Sequence, residues 1–596
     1  MRKKLNRALS LCLTLLLLIG ALPFAASAAG VLHWGGTYMS PDNNTVTTAP
    51  LPVTPDKVEL AWSKPVGNST VVILGEYVYT YNSNRVVGDQ KLYMLDKDTG
   101  ETVKSVSVGR NSNNVYSYIC SDGEWLYVSI PTAVIAFDQN LTQRWKFERS
   151  PASPTGDDYC PVQYINGYVV SNGLVLDAET GVKKLTLTGT YNWSNGVEVD
   201  GYYYVAGSDG KLYSFDTTNW TLKSLCKFNG AGAGVMHYNG RVYWGDQQNK
   251  AIYSVGIENG SIDSDTLITG STVYYTTYTT PVACNGRIYL AGTEALGDEG
   301  VGLAAVCAYD AITLEQERET LLSGSGHKIQ STPILYRATA GGSSTAGLGD
   351  VWFSDTLAVA QTTAYIYVQD YANPGKILVM SDDGEQKSGT FTELLTPAQG
   401  QYAWEQMACD NSGALYISTD AGYLMKYQTI QAAKPVLTGD MAVNKTYQCG
   451  QTAETLTVNA SVRDGGALSY QWQRHDGDAK WYDIAGAEES YYTPSAETVG
   501  VSYYRCVVTN TRAGTTAQTE SKVAKITVEQ SRIPGDVNAD TAVDGKDVTC
   551  LTRYLAGWQE TDPAAENADV NGDSAVDVLD LILLRRYVAR WNVQLQ

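Results

Sequence analysis

One pattern recurs through residues 58–428 and limits what the chain can become. It is a turn carrying Gly, a strand rich in Tyr and Val, a gap, then a second apolar strand ending on Asp or another polar residue. The first half appears at residues 74–79, 122–127, 166–169, 200–204, 239–243, 285–289, 364–367 and 412–416. The second half appears at 92–100, 134–138, 174–181, 212–216 and 305–310, with weaker copies at 251–255, 377–382 and 423–427. That makes about eight copies at a period of roughly 35–50 residues, the range of propeller blades. A small sheet of this kind has two apolar faces and is not stable alone. Packed radially, each sheet buries both faces against its neighbours and leaves only short edges. The eighth copy ends near Gln428 without an outer strand, and residues 59–66 (Glu-Leu-Ala-Trp-Ser-Lys-Pro-Val) have the pattern of that missing strand. The spacing therefore predicts a seven- or eight-bladed β-propeller over residues 57–430, latched by its own N-terminus.

The Leu-Asp-x-x-Thr-Gly elements at Leu95 to Gly100 and Leu176 to Gly181 resemble those of the quinoprotein-like propeller family, built from PQQ-like repeats. The resemblance implies the fold. Enzymes of that family bind pyrroloquinoline quinone with calcium, and many carry a disulfide between adjacent cysteines. No two of the ten cysteines here are adjacent, so PQQ is not expected. The cysteines also form no CxxC pair, which argues against a zinc or thioredoxin-type site; most are expected to be buried and unpaired.

The first residues carry an export signal. Arg2, Lys3, Lys4 and Arg7 precede an apolar run from Leu9 to Leu22, and Ala26-Ser27-Ala28 forms a small-residue cleavage site. Residues 1–28 read as a signal peptide and 29–56 as a lead-in to the propeller. The apolar run is shorter than the ~20 residues a membrane span needs, so no span is expected after cleavage. The formal net charge of -20 argues against nucleic acid and anionic lipid as partners.

From 433 to 530 the pattern changes to short alternating strands. Trp472 sits in Leu-Ser-Tyr-Gln-Trp-Gln, and Tyr504 stands two residues before Cys506. The segment resembles a bacterial immunoglobulin-like sandwich, which implies a buried Trp and a tyrosine corner. Val458 stands where the partner cysteine of such domains is found, so no inter-sheet disulfide is expected. The resemblance implies a spacer.

Two stretches within 534–596 superimpose. Asp536, Asn538, Asp540, Asp544 and Asp547 fall at positions one, three, five, nine and twelve of a loop, and Asp569, Asn571, Asp573, Asp577 and Asp580 repeat them. This is the ligand spacing of a calcium loop, in which a hard cation takes six to eight oxygens and position seven offers a backbone carbonyl, here Ala542 and Ala575. Thr541 and Ser574 replace the usual Gly, and Asp replaces Glu at position twelve. The helices that follow also match: Leu551 and Arg553-Tyr554-Leu555-Ala556 align with Leu584 and Arg586-Tyr587-Val588-Ala589. The duplicated unit resembles a type I dockerin, a small all-α domain. The resemblance implies two Ca2+ ions and a cohesin partner on a scaffoldin or cell surface. It also implies selection of that partner by Gly545 and Lys546 in one copy and by Val578 and Leu579 in the other. The Val578 face, with Leu579, Leu583 and Arg586, is the more apolar docking surface.

Loops leading into the innermost propeller strands ring one mouth of the channel. Tyr159, Trp193, Tyr278, His327 and Trp404 are the candidate ligand-binding residues there, with Tyr118, Lys328, Gln330 and Glu405 beside them. Aromatic faces next to polar groups suit a plant or mucosal glycan. His is rare and no Ser-His-Asp or HExxH pattern stands out. The expectation is a secreted, mainly β, cellulosome-type component that docks by its tail and binds glycan or protein without catalysis. The alternative is a polysaccharide lyase or glycoside hydrolase.

Overall fold

The computed structural model describes residues 32–35, 43–67, 69–82, 88–111, 116–149, 159–189, 191, 195–246, 248–272, 279–294, 303–322, 327–329, 331–338, 363–384, 389–400, 402, 406–438, 443–477, 480–558 and 564–596. The expected signal segment lies outside them. Two compact units follow one another, residues 1–429 and 430–596.

Among the described residues the first unit holds eight sheets, each containing a four-stranded antiparallel meander. Blade 1 is Val71–Leu74, Tyr77–Tyr81, Gly88–Asp96 and Thr102–Asn111, and blades 2 to 7 repeat that order along the chain. Blade 8 takes Ala408–Cys409, Leu415–Thr419 and Tyr423–Thr429 from the end of the unit and its outer strand, Val58–Lys64, from the beginning. The pattern at 59–66 is therefore a latch, paired antiparallel from Val58↔Thr429 to Lys64↔Leu424.

Apolar clusters join each blade to the next. Leu74 and Tyr79 of blade 1 share a core with Leu126 and Ile135 of blade 2. Later clusters join blades 2 and 3, 3 and 4, 4 and 5, 5 and 6, and 6 and 7. A last cluster contains Tyr367 of blade 7, Met425 of blade 8 and Ile73 of blade 1, which closes the ring. Burial on both faces explains why strands such as Val71–Leu74 are apolar throughout instead of alternating.

The repeated Asp-x-x-Thr-Gly turn has a packing role. Asp96 Oδ1 accepts from the N–H and hydroxyl of Thr99, and Asp177 repeats this with Thr180. Gly100 and Gly181 then take the left-handed conformation under the indoles of Trp62 and Trp145, which come from the outer strand of the preceding blade. Each indole N–H donates to a carbonyl of that turn, Lys97 O at 3.0 Å and Ala178 O at 2.8 Å. Blades 4 and 6 invert the arrangement: Trp220 and Leu314 occupy the left-handed position and fill the gap from the turn side.

The lead-in runs inside the ring. Leu32–Gly35 pairs antiparallel with the innermost strand of blade 1, and Val46–Thr47 pairs parallel with that of blade 7. Buried Asn43 donates from Nδ2 to Gly196 O (2.6 Å) and Val235 O (2.7 Å), tying blades 4 and 5. Asn44 bonds both the N–H and the C=O of Ala283 in blade 6, as a neighbouring strand would. Pro52 O accepts from the Tyr367 hydroxyl of blade 7. The channel at this level is occupied by the protein itself.

In the second unit a six-stranded sheet is built around Gly500–Arg512, with Ala467–His475 beside it, and two short two-stranded sheets accompany it. Trp472, Tyr504, Cys506 and Val458 share its core. Every cysteine whose side chain is described is free, Cys506 and Cys449 included. Among the described residues three helices follow: α1 (Gly545–Leu555), α2 (Ala565–Ala568) and α3 (Val578–Val588). No helix among the described residues is long and apolar enough to cross a membrane.

Candidate metal loops and docking face

The C-terminal loops are wound by their own side chains. Asp536 Oδ2 accepts from Thr541 N–H (2.9 Å), and Asn538 Oδ1 from Asp540 N–H (2.9 Å). The second loop repeats both bonds, Asp569 Oδ2 from Ser574 N–H and Asn571 Oδ1 from Asp573 N–H, each at 2.9 Å. Thr541 and Ser574 hold the left-handed φ of +70° and +67° that a Gly usually supplies.

The acids at positions nine and twelve start the helices. Asp544 caps α1 and Asp577 caps α3, each in a reciprocal capping box with Asp547 or Asp580. Asp547 and Asp580 are fully buried, and their oxygens accept from Asp544 N–H (2.7 Å) and Asp577 N–H (2.8 Å). Val537, Leu551, Ala568, Val570 and Leu584 form the shared core behind them.

The donor set fits a hard cation. One oxygen each from Asp536, Asp540 and Asp547 lies within 4.8 Å of the others, with two of the three residues buried. Such a cluster of carboxylates is self-repelling without a counter-ion. Among the described residues the Lys546 ammonium faces the loop, 3.1 Å from Asp540 Oδ2, and holds that carboxyl below the ordinary range. That lysine side chain is 72% exposed. Loop two has the same backbone staircase, but no second cluster as tight occurs among the described residues.

On α3, Val578 and Leu579 are 59% and 58% exposed. Ile582, absent from the sequence expectation, is exposed on the same stripe one turn on, where its i+4 spacing from Val578 would have placed it. Arg586 lies over the exposed Trp591 ring, 5.7 Å from its centroid. Leu583 is half buried and packs on the helical core. The equivalent stripe of α1 carries Gly545, Lys546, Thr549 and Arg553, all exposed and none apolar.

In the first unit, Trp193, Tyr278 and Trp404 lie outside the described residues, as do Gln330 and Glu405. Tyr159 lies on a short strand parallel to Tyr116–Ser121, and nothing is described of its side chain. His327 is described, and its Nδ1 lies 2.7 Å from Asp370 Oδ2, a partner 43 residues away that sequence spacing did not reveal. A small cavity of about 10 Å³, water-sized, is lined by Gln163, Asn195 and Tyr203 beside the lead-in.

Fold and loops together define a chain of repeated sheets ending in a paired-loop helical module. Residues 534–589 match the family described as "Dockerin type I domain". Residues 437–530 match a family described as "Domain of unknown function (DUF8696)". No curated protein matches the chain as a relative. Similar solved structures include BamB from Moraxella catarrhalis, with 13% identity over 62% of this chain and 99% of that one and a TM-score of 0.40. Quinohemoprotein alcohol dehydrogenase from Comamonas testosteroni has 10% identity over 70% of this chain and 84% of that one, with a TM-score of 0.46. The blade assignment stands on the sheets themselves.

Proposed function

We propose that this protein is a secreted, cellulosome-type component, attached through its C-terminal dockerin to a cohesin on a scaffoldin or cell surface. The observation that carries the reading is the duplicated Asp/Asn staircase, each copy feeding a capped helix, within a segment that matches the dockerin family. Asp536, Asn538, Asp540, Asp544 and Asp547, and their counterparts Asp569, Asn571, Asp573, Asp577 and Asp580, hold two Ca2+ ions, with the carbonyls of Ala542 and Ala575. The ions neutralise the clustered carboxylates and couple binding to the fold of the helix pair. The exposed Val578, Leu579, Ile582 and Arg586 face docks the cohesin, with Gly545 and Lys546 on the weaker, polar face.

The segment 433–530 acts as an immunoglobulin-like spacer. The propeller is the cargo module and binds glycan or protein without catalysis; PQQ has no role in this reading. Titration of the intact protein against a panel of type I cohesins, with Ca2+ and then with chelator, tests it. Calcium-dependent binding to one of them is expected, and failure to bind any of them in millimolar Ca2+ removes the docking function.

A further inference from the structure

The two C-terminal loops share a staircase but differ at one atom. At position five, Asp540 and Asp573 each use Oδ1 to accept from a backbone N–H two residues on, Ala542 at 3.1 Å and Ala575 at 2.9 Å. Oδ2 is treated differently. In loop two it accepts from the neutral side-chain amide of Asn571 at 2.9 Å. In loop one it accepts from the Lys546 ammonium at 3.1 Å, and the same ammonium lies 3.9 Å from Asp544 Oδ2. Lys546 stands at position eleven, and its counterpart in loop two is Leu579, which is exposed and uncharged. Arg532 meets loop two at the Asp569 carbonyl, a backbone acceptor.

The charged donor has an electrostatic cause. Loop one brings oxygens of Asp536, Asp540 and Asp547 within 4.8 Å of one another, and a nearby ammonium relieves their mutual repulsion. It also has an electrostatic consequence. With a divalent ion among those oxygens, Lys546 faces a like charge at short range and must give up Asp540 Oδ2. Its long, exposed stem lets the ammonium move into water. Loop two requires no such exchange of charge, because the Asn571 amide is neutral. The interaction lies at the surface, so it changes affinity by a modest factor that is largest at low salt and screened at high salt.

We propose that Lys546 is a resident counter-ion of loop one that competes with calcium for Asp540, lowering the calcium affinity of that loop and leaving the carboxylate when the ion binds. This deepens the calcium reading of the two loops and rests on it. Once released, the ammonium joins Arg553 on the exposed stripe of α1, so calcium alters the charge that this side of the module presents to a partner. Calcium titration of the intact protein by calorimetry, in the absence of cohesin, reads the product of the two calcium association constants.

Lys546→Gln keeps a donor for Asp540 Oδ2 and gives loop one the neutral amide that loop two has. It should raise the product by about three- to tenfold in about 20 mM salt, and by less than about twofold in about 1 M salt. Lys546→Arg keeps the charge and should stay within about twofold of wild type, whereas Leu579→Lys should lower the product by about three- to tenfold at low salt. Reductive 13C-methylation of the lysines, which preserves their charge, gives a second measurement. The resonance missing from Lys546→Gln is that of Lys546, and calcium should shift it. An unchanged product for Lys546→Gln at low salt, a gain that high salt does not diminish, or a Lys546 resonance that calcium leaves in place would each overturn the counter-ion role while calcium binding stands. No calcium binding by wild type or any variant in millimolar Ca2+ removes both.

Discussion

Gly100 lies under the indole of Trp62, so close that a Cβ on the glycine would come 2.6 Å from Cδ2 of the ring. Trp62 belongs to the latch strand, which is hydrogen-bonded into blade 8, while Gly100 belongs to blade 1. One contact therefore spans the seam where the ring closes. Gly100→Ala adds a clash to the strain of φ +68° and should cost about 2–4 kcal/mol; Trp62→Ala should cost about 3–5 kcal/mol. Gly167 has φ +84° with nothing within 4 Å of a built Cβ, so Gly167→Ala should cost only about 1–2 kcal/mol. Denaturant midpoints of the three variants separate clash from backbone strain.

Asn43 should be among the costliest polar residues to remove. Asn43→Ala deletes two buried bonds and leaves the Val235 carbonyl without its side-chain donor, while Gly196 O keeps Gln163 Nε2 at 2.9 Å; the expected loss is about 2–3 kcal/mol. Hydrogen exchange should show the loss spreading through the innermost strands of blades 4 and 5.

Chelation should lower the melting temperature of the C-terminal module and leave the propeller transition in place. Asp536→Ala and Asp569→Ala should each do the same at saturating Ca2+. Calorimetry of the intact protein reads both transitions, and a C-terminal transition indifferent to chelator would count against metal binding.

Acid should weaken the propeller through its turns. The Thr99 N–H, the Thr180 hydroxyl and the Thr218 hydroxyl hold Asp96, Asp177 and Asp216 below the ordinary carboxylate range. Folded values below unfolded ones mean that these bonds stabilise above about pH 4, and that the contribution disappears as pH falls through the depressed folded values. Asp370 shifts in the opposite direction, so its burial opposes stability as pH rises through its folded value. Thermal melts between pH 7 and 3 should fall, and Asp96→Asn with Asp177→Asn should flatten the slope.

The two docking stripes should prove unequal. Ile582→Asp places a charge in the apolar stripe of α3 and should reduce cohesin affinity by about a hundredfold or more, whereas Thr549→Asp at the matching place on α1 should change it by less than about threefold. Equal losses would show that both faces bind.

The repeat was legible because blades 1, 3, 4 and 6 apply the same turn chemistry, Asp with Thr and a left-handed residue, to the same packing problem. The latch was legible because its apolar pattern had no other sheet to join. The lead-in was not: Asp-Asn-Asn-Thr at 42–45 reads as exposed loop, and only tertiary contacts reveal Asn43 and Asn44 as substitutes for strand pairing. Trp220 and Leu314 were hidden for a similar reason, since a bulky residue at positive φ breaks the local rule that Gly satisfies. In the tail, register alone aligned the two staircases. Ile582 went unnoticed although helical spacing placed it. The His327–Asp370 pair depends on a meeting of loop and strand end that no spacing encodes.

Because the earliest residues of the ring complete its last sheet and line its interior, synthesis order and assembly order run opposite to each other. Blades made first must wait with an open edge until the final strands of the eighth emerge, a high-contact-order closure that is slow and aggregation-prone. Closure is therefore the last step in assembling the unit, and the latch strand stays unpaired until residues 423–429 are free to meet it.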